Sequence, residues 1–143
     1  MILPDVNLLL YAYDASSPFH HKAVSWLNAV FQGTESIGFC APVLFAFVRL
    51  ATNTRVFVHP LTVEEVAAHV TEWLDQPNAR FVETQQVDIE QALALLRVAG
   101  TAGNLTTDAQ IAAVALRVRA VVYTTDGDYA RFANLSWHNP LND

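Results

Sequence analysis

Cysteine occurs once in this sequence, at Cys40, and lysine once, at Lys22. A lone cysteine excludes an internal disulfide, and it reads as a small buried apolar residue. No apolar run approaches the roughly 20 residues that a membrane-spanning helix needs. The longest, 41–50, contains Pro42 and Arg49. The opening residues, Met1-Ile-Leu-Pro-Asp5, have no basic region followed by an apolar segment, so no signal peptide and a cytoplasmic location are expected. Positive charge is scarce too: 8 Lys and Arg stand against 14 Asp and Glu, a net charge of −6. Phosphate contacts dominate affinity for nucleic acid, so this balance alone speaks against such a ligand. It leaves open carboxylates that meet phosphate through a bound cation, and a basic protein partner. Gly-rich phosphate loops, zinc-type Cys/His spacings, a Gly-x-Ser-x-Gly elbow, repeats and linkers are all missing.

What is present is apolar material: 52% of 143 residues are hydrophobic and only 15% charged. That length suits one domain over 1–143, and the apolar surplus suggests burial against another subunit or partner. Strands are expected at 1–4, 36–40, 79–82 and 120–124, with a short last one at Trp137. Helices are expected between them. One follows Asp5; one is opened by Ser17-Pro18; a largely apolar and therefore buried one runs from Pro42 to about Thr52. Another starts at the capping box Thr62-Val-Glu-Glu65, a fifth runs from Asp88 to Gly100, and a sixth begins at Thr107 or Asp108. Strands alternating with helices imply an α/β fold with a parallel sheet of four or five strands covered on both faces.

In such sheets ligands bind beyond the carboxyl ends of the strands. Asp5 follows the first strand, Asp126 follows the strand at 120–124, and Asp108 starts a helix entering the same end. Each has an ordinary explanation alone: a cap, a turn, a first-turn acid. Together, three carboxylates at one sheet end repel one another and raise each other's pKa values unless a cation joins them. Hard oxygen ligands suit Mg²⁺ or Mn²⁺, and an ion held by few carboxylates keeps waters able to attack phosphorus. Arg49, on an apolar helix, is expected to pair with a site aspartate or to meet phosphate. Thr107, Thr124 and Thr125 are positioned to bond metal waters, though threonine at such places is usually structural. The consecutive His20 and His21 face different ways on a helix and make poor joint ligands. Trp26 and Trp73 read as core residues or as packed under a partner.

Three segments carry a family resemblance over nearly the whole chain. Asp5-Val-Asn7, Gly103-Asn-Leu-Thr-Thr-Asp108-Ala, and Thr124-Thr-Asp126-Gly-Asp128-Tyr-Ala-Arg-Phe132 resemble the successive motifs of PIN-domain ribonucleases. Within these, the chain looks like the VapC-type toxins of toxin–antitoxin pairs, and Trp137-His-Asn-Pro-Leu141 resembles the ending of a mycobacterial-type subgroup. The resemblance implies a three-layer α/β/α PIN fold and a Mg²⁺-dependent endoribonuclease, with Mn²⁺ as a substitute. It also implies a homodimer and a small VapB-type antitoxin partner. Metal-site roles carry onto Asp5, Asp108 and Asp126, with Asn7 and Asp128 in support. Tyr129 stands where the family usually has Phe. The chain departs from the pattern at Ala46, where many relatives carry a glutamate three residues before the arginine, here Arg49. That loss motivates the alternative of a catalytically weakened PIN module that binds RNA or a protein without turnover.

Overall fold

Short apolar triplets build the centre of the fold. The computed structural model, which describes residues 1–143, has strands β1 (Ile2–Pro4), β2 (Ile37–Phe39), β3 (Ala79–Phe81), β4 (Val121–Tyr123) and β5 (Trp137–His138). They form one sheet in the order β3-β2-β1-β4-β5, with every neighbouring pair parallel. The helices are α1 (Val6–Tyr13), α2 (His20–Gln32), α3 (Ala41–Ala51), α4 (Val63–Leu74), α5 (Gln86–Ala99) and α6 (Thr106–Val118). They cover both faces, giving the expected three layers. β1, β2 and β4 are apolar because a parallel sheet between helices hides both faces; Leu3, Ile37, Phe39 and Val122 are essentially inaccessible.

Chain order reverses direction across the sheet between β1 and β4, and this places their carboxyl ends side by side. Pro4 has no N–H to donate, so it ends β1. The next donor, Asp5 N–H, reaches the Tyr123 carbonyl at 2.8 Å. The crevice at such a switch point is where ligands bind in open α/β sheets.

Local chemistry explains two of the helix ends directly. The Thr62 and Glu65 side chains cap α4 reciprocally, at 3.1 and 3.2 Å. Gly100 closes α5 with φ of 75°, a left-handed conformation that a side chain disfavours. Between α5 and α6, the buried Asp88 carboxylate accepts from Arg117 Nε and from the Gln85 N–H, both at 2.8 Å. Trp73 is fully buried, and its indole N–H donates to the Tyr13 hydroxyl at 2.8 Å.

Two expectations need correction. Ser17-Pro18 does not open α2: Ser17 Oγ accepts from the Phe19 N–H at 3.1 Å in a turn, and the helix starts at His20. The turn is closed by the His20 N–H donating to the Ser17 carbonyl at 3.1 Å, three residues on, and the helix begins only after it. Nor is α3 buried all round, since Phe45 keeps 70% of its surface exposed and Arg49 is exposed as well. A helix on the outside of a three-layer fold has one face toward water whatever its composition.

Candidate active site

Thr124 ties the carboxyl ends of β1 and β4 together. It is fully buried, and its hydroxyl donates to Asp5 Oδ2 at 2.8 Å. The same oxygen accepts from Asn7 Nδ2 at 3.2 Å and from the Asp126 N–H at 2.9 Å. Asp5 caps α1 through Oδ1, 2.8 Å from the Val6 N–H, and only 4% of it is exposed. Asp126 Oδ1 accepts from the Asp128 N–H at 2.8 Å and starts the turn Gly127–Arg131. The capping readings of Asp5 and Asp126 therefore hold, and they do not compete with a role in a site. Each cap occupies one oxygen and fixes the carboxylate at the sheet edge.

Electrostatics joins Asp108 to this group. Its carboxyl, half-buried in the first turn of α6, is pushed up to about 7 by burial and then by the charges of Asp5, Asp126 and Asp128. Burial also raises Asp5, against the hydrogen bonds from Thr124 and Val6, and Asp126 raises it further. Burial is the larger cause for both groups, and like charge adds to it. The three aspartates singled out from sequence lie within electrostatic reach of one another at the carboxyl ends of β1 and β4 and the start of α6.

Tyr129 is the residue that sequence reasoning gave no role. Its side chain is fully buried, and burial and the charges of Asp5 and Asp108 hold its phenol far above the ordinary value. The hydroxyl stays protonated, lies beside both carboxyls and lowers them, yet completes no well-aligned hydrogen bond. The available signal was Tyr in an aromatic position of the last motif: its extra hydroxyl, once buried, must face something polar.

Other candidates fall outside the cluster or at its rim. Arg49 is exposed and makes neither an ion pair nor a side-chain hydrogen bond, so the expected pairing with an aspartate is not found; facing water, it needs none. Thr125 is half-buried. Asp128 is exposed and contributes charge toward Asp108. Ala46 is buried, at 4% exposed, but lies outside the contiguous hydrophobic cluster. Glu35 pairs with the Met1 amino group at 3.4 Å, at the start of β1 and away from the aspartates. His20 Nδ1 lies 2.9 Å from the Tyr11 carbonyl, a structural contact.

A divalent cation suits this donor set. All its donors are hard oxygens, Asp5 and Asp108 are destabilised as anions, and Asn7 Oδ1 is a buried acceptor with no donor in the chain. The side chains stand apart, however: no three Asp, Glu, His or Cys residues gather at metal-holding distances.

Comparison with known proteins places the chain in a family. The PIN domain family model matches residues 2–135. Ribonuclease VapC33 of Mycobacterium tuberculosis is 43% identical over 143 residues, covering 100% of both chains. Ribonuclease VapC37 of the same organism is 36% identical over 140 residues, 98% of this chain and 97% of that one. The crystal structure of M. tuberculosis VapC20, a sarcin–ricin loop cleaving toxin, superposes with a TM-score of 0.71 at 18% identity, covering 95% of this chain and 99% of that one. Rickettsia felis VapBC2, solved bound to promoter DNA, gives 0.69 at 18% identity, covering 97% and 98%. The structures speak for the fold and the full-length sequence matches for kinship: this chain belongs to the PIN-domain family, among the VapC ribonucleases.

Proposed function

We propose that the chain, acting as one domain over 1–143, is the endoribonuclease toxin of a toxin–antitoxin pair. It hydrolyses RNA with a divalent ion, Mg²⁺ or Mn²⁺, held by Asp5, Asp108 and Asp126. The observation that carries this reading is the end-to-end match to VapC ribonucleases, and the hydrogen-bonded group of Asp5, Thr124, Asn7 and Asp126 at the carboxyl ends of β1 and β4 supports it. When bound, the ion supplies an activated water and polarises a phosphoryl oxygen. The chain's own residues set the stage. Thr124 and the Val6 N–H fix the two oxygens of Asp5. The Asp128 N–H fixes Asp126, and Asn7 steadies Thr124. The Tyr129 hydroxyl, lying beside Asp5 and Asp108, lowers both carboxyls toward their charged forms.

RNA as substrate follows from the VapC ribonucleases that the chain matches end to end. A small VapB-type antitoxin follows from the VapBC complex sharing its fold, and the exposed apolar residues on α3 and α5 leave surface for it and for a second copy. Purified protein should cleave RNA with Mg²⁺ or Mn²⁺, stop on addition of EDTA, and be inactive as Asp108→Asn. Undiminished cleavage by that variant would overturn the assignment. A second reading, a PIN module that binds without turnover, draws on Ala46 and on the separation of the carboxylates. RNA binding without metal-dependent cleavage would favour it.

A further inference from the structure

A cavity of about 440 Å³ lies between α2 and the turn Pro140–Asn142, away from the aspartates. Its wall includes His21, Lys22, Ser25, Trp26, Pro140 and Asp143. A second cavity of about 360 Å³ shares Trp26, Pro140 and Asp143 with it and reaches Tyr123. The closing turn is anchored: Lys22 Nζ donates to the Leu141 carbonyl at 3.0 Å, and His138 Nε2 lies 2.9 Å from Asp143 Oδ2. The Trp26 ring stacks near-parallel on Tyr123, centroids 6.1 Å apart, and Tyr123 meets the His138 ring edge-on at 5.2 Å. The indole N–H of Trp26 is buried and has no acceptor in the chain.

Flat aromatic surface beside a cation is how proteins hold single-stranded nucleic acid with little regard to sequence. Lys22, the sole lysine, is exposed at one side of the cavity. His21 is beside it on the same wall, and Asp143, paired with His138, also lines the cavity. The wall is joined to the carboxylates through β4 and β5: the Tyr123 carbonyl accepts from the Asp5 N–H at 2.8 Å, and the His138 carbonyl from the Thr124 N–H at 2.9 Å. A net charge of −6 makes a local cation on an aromatic wall more valuable to an RNA-binding chain.

We propose that this groove is a subsite for one nucleotide of single-stranded RNA away from the carboxylates, with the base against Trp26 and its phosphate against Lys22 and His21. The proposal rests on the nuclease reading above, and its test separates the two. A labelled single-stranded oligoribonucleotide is titrated by fluorescence anisotropy onto Asp108→Asn protein in Mg²⁺, alone and combined with Lys22→Gln or Trp26→Leu. Gln keeps an N–H donor on a side chain one atom shorter and removes the charge.

Each substitution should weaken Kd about tenfold. Lys22→Gln should also lower the dependence of log Kd on log salt by about 0.7. Wild-type cleavage is measured alongside, where Lys22→Gln should act on KM. Cleavage by wild type with unchanged Kd and salt slope in both variants overturns the subsite. Weakened binding in the variants with no wild-type cleavage supports the subsite and sinks the nuclease reading. If the amides of α2 and 140–142 shift in NMR spectra on adding antitoxin protein but not RNA, the groove docks protein and the proposal falls.

Discussion

Removing the Asp108 charge should stabilise the metal-free protein, against the usual effect of substituting a polar residue in a site. The carboxyl is raised from 3.8 to about 7 by burial and like charge. A folded pKa above the unfolded one means that the folded state prefers the proton. The associated stability is fully present below about pH 4 and is lost as pH rises toward 7. Three pKa units correspond to a ceiling of about 4 kcal/mol, and solvent screening of a half-exposed group reduces this to ~2 kcal/mol. Asn is isosteric and neutral, so it escapes the loss. In EDTA, Asp108→Asn should melt at the same temperature as wild type at pH 4 and about 4–8 °C higher at pH 8. Differential scanning calorimetry across that range reads the effect. Mg²⁺ should raise the melting temperature of wild type at pH 8, hardly at pH 5, and never that of the variant. A variant less stable than wild type at pH 8, or a difference that does not change with pH, would refute the repulsion on which the site assignment rests.

Other outcomes follow from particular contacts. Tyr129→Phe removes a hydroxyl that lowers Asp5 and Asp108, so the acidic limb of the pH–rate profile should move to higher pH. Stability should change little, because the lost group makes no well-aligned hydrogen bond. Asp88→Ala strands Arg117 and the Gln85 N–H and should cost about 2–3 kcal/mol in urea unfolding. Arg117 and the Gln85 N–H together hold the Asp88 carboxyl below its ordinary 3.8 despite burial, so this contribution is present above pH 4 and fades as pH falls below it. Ala46→Glu restores the carboxylate that many relatives carry; Mn²⁺ binding at pH 8, followed by calorimetry, should tighten about tenfold as ligand charge is added. Unchanged affinity would mean that α3 does not face the ion.

The elements were largely legible because their signals are local. The Thr62–Glu65 box, Gly100 after α5 and the apolar triplets of β1, β2 and β4 each need only neighbours in the chain. The start of α2 was missed for a related reason: Ser17 had two local partners on offer, a helix end and a turn, and the turn won. Of the two roles expected of Arg49, the pairing with an aspartate is absent, because composition cannot say which side of an outer helix meets water.

By itself the sequence determined the alternation of strands and helices, the parallel sheet, and three aspartates just past strand ends or at a helix start. Periodicity, caps and turn chemistry are written within a few residues, and the ordered motifs place the family. Only the tertiary structure decided what those aspartates do to one another. Asp5 and Thr124 are 119 positions apart, yet a 2.8 Å hydrogen bond joins them because β1 and β4 are neighbours. The same adjacency buries Tyr129 against the carboxylates and raises Asp108. Burial and charge coupling depend on distances through space, and only the packed sheet sets those.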